Sequence, residues 1–231
     1  MNDRENNLCI IPARGGSKRI PRKNIKQFCG KPIIAYSIEA ALGSKLFDEV
    51  MVSTDDEEIA EIAKKYGAKV PFMRSQENAD DLATTVDVLI EVINEYKRAG
   101  KEFDHCCCIY PTAPLIKIEK LKSGFDKLWN DNFDVVFPVV SFSYPIWRGL
   151  KKNDDDNFSM LWPEHQNSRS QDLDEVYHDA GQWYWFRTDQ LVKSKKLFGD
   201  NTSCVILNET EVQDIDTSTD WKLAELKYEL L

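Results

Sequence analysis

The sequence lacks any apolar run near the ~20 residues a membrane helix requires, so no spanning segment is expected. It lacks paired-cysteine spacing. Its six cysteines are Cys9, Cys29, Cys106, Cys107, Cys108 and Cys204. None forms a C-x-x-C, and three are consecutive in an apolar stretch, which argues against a disulfide framework and against a zinc site. Positive charge is in deficit, with 30 Lys and Arg against 39 Asp and Glu, a net −9. General binding to nucleic acid or to an anionic membrane is therefore not expected. There is no internal repeat and no low-complexity linker. The start, Met1 to Asn7, is polar and charged, and the apolar stretch after it (Leu8 to Ala13) is too short for an export signal. The expectation is a cytoplasmic protein with reduced, buried thiols.

What is present is an ordinary globular balance: 231 residues, 42% hydrophobic and 30% charged, enough for one sizeable core. Short apolar runs alternate with helical periods. Leu8–Pro12, Glu49–Thr54, Lys69–Met73, His105–Tyr110 and Phe133–Val140 read as strands, several too continuously apolar for a half-exposed sheet. Pro32–Leu42, Glu57–Tyr66, Val86–Tyr96 and Ile118–Trp129 read as helices. This alternation predicts a doubly wound α/β domain with a mostly parallel sheet. Residues 141–180 break the rhythm with Trp147, Trp162, two prolines and an Asp154-Asp155-Asp156-Asn157 turn. They read as a small β-rich arm, either packing on a second subunit or closing over its own domain. The pattern resumes with strands at Gln182–Phe186, Ser203–Leu207 and Val212–Ile215. A last helix is expected over Asp220–Leu231, with Trp221, Leu223, Ala224 and Leu226–Lys227 inward.

Charge is unevenly spread. Residues 11–31 hold seven cations (Arg14, Lys18, Arg19, Arg22, Lys23, Lys26 and Lys31) and no acid, while the other 210 residues carry −16. The cations follow the first strand, in Ala13-Arg14-Gly15-Gly16-Ser17-Lys18-Arg19-Ile20-Pro21-Arg22-Lys23-Asn24. In open α/β sheets ligands bind at the carboxyl ends of strands. Paired glycines let a backbone approach phosphate and offer N–H groups to it, and Arg and Lys supply countercharge. Neither a Walker A loop nor a G-x-G-x-x-G fingerprint is present. The alternative is a solvated basic turn.

Ile11-Pro12-Ala13-Arg14-Gly15-Gly16-Ser17-Lys18, then Ile20-Pro21 and Lys23-Asn24, resembles the signature of the CMP-sialic acid synthetases. These are the acylneuraminate cytidylyltransferases, of the nucleotide-diphospho-sugar transferase fold. The likeness continues in order through Val52-Ser53-Thr54-Asp55, Thr84-Thr85, Pro111-Thr112-Ala113-Pro114 and Asp214-Ile215-Asp216, almost the whole chain.

The resemblance implies transfer of CMP from CTP to the anomeric hydroxyl of an acidic nine-carbon sugar, with release of pyrophosphate. It implies a homodimer exchanging an arm like residues 141–180, within one cytidylyltransferase domain spanning 1–231. Ala13, Arg14, Gly15, Gly16, Ser17, Lys23, Asn24, Arg74 and Thr85 would contact the nucleotide, with Arg14 and Lys23 stabilising charge on the triphosphate. Arg169 would receive the sugar carboxylate and act with them in catalysis. Tyr110, Gln171, His178 and Gln182 complete the sugar side, with His178 either a general base or a hydrogen-bonding specificity residue. Asp214 and Asp216 lie two apart, on one face of an extended segment. Such a pair suits Mg²⁺, and the resemblance makes it the metal site. Asp55-Asp56-Glu57-Glu58 reads as a helix start instead and stays outside the site.

Two departures point to a branch. Sialic acid enzymes carry Gln where Tyr110 stands and a second Arg at Ser170. With His178-Asp179-Ala180-Gly181-Gln182, the chain looks closest to the pseudaminic acid cytidylyltransferases. The same reaction on N-acetylneuraminic or legionaminic acid is the near alternative. A non-catalytic nucleotide-binding protein is the alternative of another class, opposed by the presence of Arg14, Lys23, Asp214 and Asp216 together.

Overall fold

The computed structural model describes residues 6–80 and 82–231; most of the charged start, Met1 to Glu5, lies outside the described residues. Apolar β-formers build β1 (Asn7–Pro12), β4 (Glu49–Ser53), β5 (His105–Ile109) and β6 (Val135–Ser141). Two-residue strands β2 (Gln27–Phe28) and β3 (Lys31–Pro32) form a small ribbon, and β7 (Leu150–Lys152) pairs with β8 (Phe158–Met160) in the arm. The last strands are β9 (Tyr177–Asp179), β10 (Trp183–Arg187) and β11 (Thr202–Ile206).

The main sheet runs β11-β6-β10-β5-β1-β4, with β9 beside the far end of β6. Five of its seven strands point one way; β9 and β10 run against them, so the sheet is mixed but mostly parallel. β9 and β10 lie along the same side of β6, separated by a jog at Ala180-Gly181-Gln182. Gly181 makes the jog possible, since its φ is +62°, a region that side chains with a Cβ avoid.

Period-two alternation feeds two cores. Cys9 and Ile11 of β1, with Cys107 and Ile109 of β5, join the layer under α1 (Ile33–Ser44), α2 (Glu57–Lys65) and α4 (Ile118–Asn130). Leu8, Ile10, Cys106 and Cys108 face the other layer, under α3 (Thr85–Arg98) and α5 (Thr188–Ser194). The consecutive cysteines are thus small apolar side chains on alternate faces, all free and buried. Burial pushes the Cys106 thiol up to about 12 and raises Cys9, Cys107 and Cys108 as well, so these are inert thiols. A third cluster packs Trp221 and Ala224 of α6 (Ser218–Tyr228) against Phe28, Ile33 and Tyr36.

Three expectations are corrected. Lys69–Met73 makes one bridge to β4, between Lys69 and Met51, and no strand. Pro71 has no N–H to continue a ladder, and the chain turns instead so that the Arg74 N–H donates to the Thr54 carbonyl. Val212–Ile215 is not a strand; it follows a 3₁₀ turn (Glu209–Glu211) and buries Ile215 against α6. On α6, Leu223 and Leu226 face solvent while Trp221, Ala224 and Tyr228 face inward. Lys227 does reach back, donating to the Val212 carbonyl. The arm contains the expected hairpin, and Trp147 packs edge-on to Trp162 in a small cluster of its own. Among the described residues no helix is long and apolar enough to cross a membrane.

Candidate active-site cleft

The carboxyl ends of β1, β4 and β5 open into a cleft of two lobes. One, about 270 Å³, is lined by Arg14, Ser17, Lys18, Arg19, Lys23, Asn24, Tyr110, Thr112, Asp214 and Asp216. The other, about 250 Å³, is lined by Arg14, Arg74, Asn78, Thr84, Thr85 and Tyr110, among others. Arg14 and Tyr110 belong to both and form the waist between them. A larger cavity of about 600 Å³ lies at the amino end of β5, beside His105, and contains none of the expected site residues.

The basic loop is shaped by the acids that sequence reading left out. Asp56 caps α2 by accepting from the Ile59 N–H, as a helix start should. Its carboxylate also takes both terminal nitrogens of Arg22, which contacts Glu58 too. Arg22 is held in the left-handed region, at φ 55°. The Gly15 N–H donates to Asp55 Oδ1 at 2.9 Å, so a carboxylate holds a donor that the nest reading assigned to phosphate. Gly16 faces open space, and the N–H of buried Ala13 donates to the Ser53 carbonyl.

Beyond the turn, Asn24 is buried and its amide donates to the Arg14 carbonyl at 2.9 Å, which fixes the base of the loop. Lys23 reaches across to the Asp214–Asp216 segment, donating to the Ile215 carbonyl at 2.7 Å with Asp216 Oδ1 at 3.5 Å. Arg19 pairs with the other oxygen, Oδ2, at 2.8 Å. Crowding by protein atoms and then the neighbouring Asp216 charge raise the pKa of Asp214 above the usual carboxylate value.

Among the described residues no group of three or more His, Cys, Asp or Glu side chains is placed to hold a metal. A closed zinc-type site is not what this pair offers. Two carboxylates on the wall of a solvent-open cleft match an ion that keeps waters and binds through one or two carboxylates plus phosphate. The donor set therefore fits Mg²⁺.

In the other lobe Arg74 is buried, donating through Nε to Ser53 Oγ at 3.0 Å and through Nη2 to the Ser53 carbonyl at 2.6 Å. Burial lowers its pKa, and Asp55 and Glu91 counter that trend. Thr84 caps α3 in a capping box with Asp87, which places Thr85 at the first helical position facing the lobe. Thr85 Oγ1 lies 3.2 Å from the Tyr110 hydroxyl. Tyr110 packs edge-on to Tyr184, whose hydroxyl donates to Asp179 Oδ2 at 2.5 Å.

The structure thus gathers Arg14, Ser17, Lys23, Asn24, Arg74, Thr85, Tyr110, Asp214 and Asp216 around one cleft. It does not bring the other sugar-side residues into either lobe. Arg169 lies on the arm, largely exposed and paired with Asp172 at 2.9 Å, and Gln171 is exposed beside it. His178 is exposed on β9, with its ring against Phe142. Gln182 is buried, its side-chain amide donating to the Glu211 carbonyl while its backbone carbonyl accepts from the Tyr110 N–H. Its side chain thus faces the Glu211 turn and lines neither lobe. Arg19 and Thr112 are marked in the sequence only as members of the basic and Pro-Thr-x-Pro segments, and Asp55 and Asp56, read there as a helix start, also brace the basic loop.

The sequence matches the profile of the cytidylyltransferase family over residues 8–211. It is 45% identical to the pseudaminic acid cytidylyltransferase of Campylobacter jejuni over 224 residues, 97% of each chain. It is 33% identical to the CMP-N,N'-diacetyllegionaminic acid synthase of Legionella pneumophila across 96% of each chain. Among solved structures, CMP:2-keto-3-deoxy-manno-octonic acid synthetase complexed with CTP shares the fold. There the TM-score is 0.72 at 21% identity, covering 98% of this chain and 100% of that one.

Proposed function

The chain belongs to the cytidylyltransferase family, and from that premise we propose that it transfers CMP from CTP to the anomeric hydroxyl of pseudaminic acid, releasing pyrophosphate. The observation that carries this reading is the full-length likeness to a pseudaminic acid cytidylyltransferase at 45% identity. The cleft supports the chemistry. Arg14 at the waist and Lys23 in the larger lobe supply cations for a triphosphate, and Arg74 and Thr85 line the adjoining lobe for the rest of the nucleotide. Phosphoryl transfer depends mainly on such positioning and charge stabilisation as the sugar oxygen attacks the α-phosphorus in line. A regulatory binder has no evident need for these cations beside an Asp214–Asp216 pair.

Asp214 and Asp216 are the residues that would hold a magnesium ion, whose chemistry when bound is to neutralise phosphate charge. The exposed side chains of the arm, Tyr144, Leu150, Phe158 and Leu161, support a homodimer in which the arm reaches a second copy. In that arrangement Arg169 and Gln171 serve the partner's sugar. A cytoplasmic site of action is part of this reading, supported by the buried free thiols Cys9, Cys106, Cys107 and Cys108.

The test is pyrophosphate release by pure protein given CTP, Mg²⁺ and, separately, pseudaminic, N,N'-diacetyllegionaminic and N-acetylneuraminic acids. Preferred turnover of pseudaminic acid is expected. Equal turnover of either other sugar overturns the substrate assignment, and CTP binding without pyrophosphate release from any sugar overturns catalysis. A light-scattering mass of a single chain would remove the dimer.

A further inference from the structure

Two cations of the basic loop converge on Asp216, and they are held differently. Lys23 is largely covered, and its ammonium donates to the Ile215 carbonyl at 2.7 Å besides lying 3.5 Å from Asp216 Oδ1. The Arg19 side chain is 69% exposed, and its described ion pair is with Asp216 Oδ2 at 2.8 Å. Lys23 therefore has an anchor independent of Asp216, whereas the direct contact of Arg19 among the described residues is a single Asp216 oxygen, with the Asp220 charge nearby. An exposed, rotamer-rich guanidinium held by one charge contact moves at little cost.

The same oxygen is needed for something else. A carboxylate oxygen engaged by an arginine offers less to a metal ion, and the arginine's own charge opposes a second cation at that place. Asp214 and Asp216 line the same lobe as Arg19 and Lys23, so a cation held by the two carboxylates sits beside the Arg19 pair.

We infer that Arg19 is a displaceable counter-cation: it occupies Asp216 in the metal-free protein and yields that carboxylate when a divalent ion binds. The inference rests on the reading of Asp214 and Asp216 as the metal pair. It makes Arg19 a positioning residue for metal entry, with the unusual consequence that removing it strengthens metal binding.

The test measures Mn²⁺ binding directly, from the free-ion electron paramagnetic resonance signal of the purified protein without CTP or sugar. Arg19→Gln is expected to bind Mn²⁺ roughly 1.5- to fivefold more tightly than the parent, the range an exposed charge pair can supply. Lys26→Gln is the charge control. Lys26 belongs to the same basic segment but lies over the Trp221 ring at 4.5 Å, and its loss should leave the Mn²⁺ affinity unchanged. Unchanged or weaker binding by Arg19→Gln overturns the inference, as does an equal gain in Lys26→Gln. Undiminished Mn²⁺ binding by Asp216→Asn is a separate outcome, which removes the metal reading and this inference with it. Exposure of Arg19 lets the variant fold, and a thermal melt verifies that.

Discussion

A Cβ placed on Gly15 would lie 2.8 Å from Asp56 Oδ2 and 3.0 Å from Asp56 Cβ. Asp56 cannot easily retreat, because the same carboxylate caps α2 and grips Arg22. The basic loop and the start of α2 are thus fitted to each other at a position only glycine fills.

Gly15→Ala is therefore expected to push the loop off the α2 terminus, costing about 1–3 kcal/mol of stability by overpacking. It should also raise the KM for CTP severalfold. Gly16 has nothing within 4 Å of its would-be Cβ, so Gly16→Ala should cost under about 0.5 kcal/mol in a urea melt. Equal destabilisation by the two substitutions would refute the fitted contact.

Lys23 joins the loop after β1 to the Ile215 carbonyl at the opposite end of the chain. Lys23→Met keeps the hydrocarbon stem and removes the charge. The expected result is a loss of about 10²–10³ in kcat, the range for removing one group that stabilises transition-state charge. The accompanying stability loss should be near 1 kcal/mol, that of one hydrogen bond. Steady-state pyrophosphate release beside a denaturant titration separates the two effects. A variant that melts early but turns over normally would make Lys23 a tether only.

Asp214 predicts opposite signs for stability and activity. Its pKa is raised by partial desolvation against surrounding protein atoms and by Asp216, so ionising it costs the fold something. An acid whose folded pKa lies above its unfolded value adds stability below the unfolded value and loses it as pH rises through the folded one. Asp214→Asn should therefore be slightly more stable than the parent at neutral pH, by a few tenths of a kcal/mol given its open position. The difference should vanish below about pH 4, where both forms are neutral. Mg²⁺-dependent turnover should fall sharply. Melting temperatures at the two pH values check the sign, and a variant less stable at neutral pH would contradict it.

The loop after β1 was legible because glycines and cations stand next to a strand end, a purely local pattern. Asp214 and Asp216 were picked out by the resemblance, their spacing saying only that they share a face, while the Asp-rich turn marked the reversal between β7 and β8. The partners that shape the loop were not legible, since Asp55 and Asp56 meet Gly15 and Arg22 only after β4 lies beside β1. Gln182 was put on the sugar side by the resemblance, and only the jog between β9 and β10 shows its side chain buried against the Glu211 carbonyl. Lys69–Met73 resembled a strand by apolar content, and Pro71 denied it a ladder. On α6 apolar residues occupy two faces, so periodicity alone could not say that Trp221 rather than Leu226 turns inward.

Glu49, the first residue of β4, is a buried acid that sequence reading passed over. Burial alone pushes its pKa up, but hydrogen bonds from the Tyr96 hydroxyl, Lys69 and Lys101 together hold it below the ordinary glutamate value. The contacts are 2.5 Å from Tyr96, 2.9 Å from Lys69 and 3.1 Å from Lys101. A depressed folded pKa contributes stability above the unfolded value, lost as pH falls through the folded one. Glu49→Gln keeps an acceptor for Tyr96 and leaves the half-exposed lysines to solvent, so the expected loss at pH 7 is about 1–2 kcal/mol rather than that of an unpaired buried charge. The parent should approach the variant as pH falls below about 4, because protonation removes the same charge. Urea titrations at neutral and acid pH read this directly. A gap that persists undiminished at low pH would show that Glu49 acts by shape, with its charge contributing nothing.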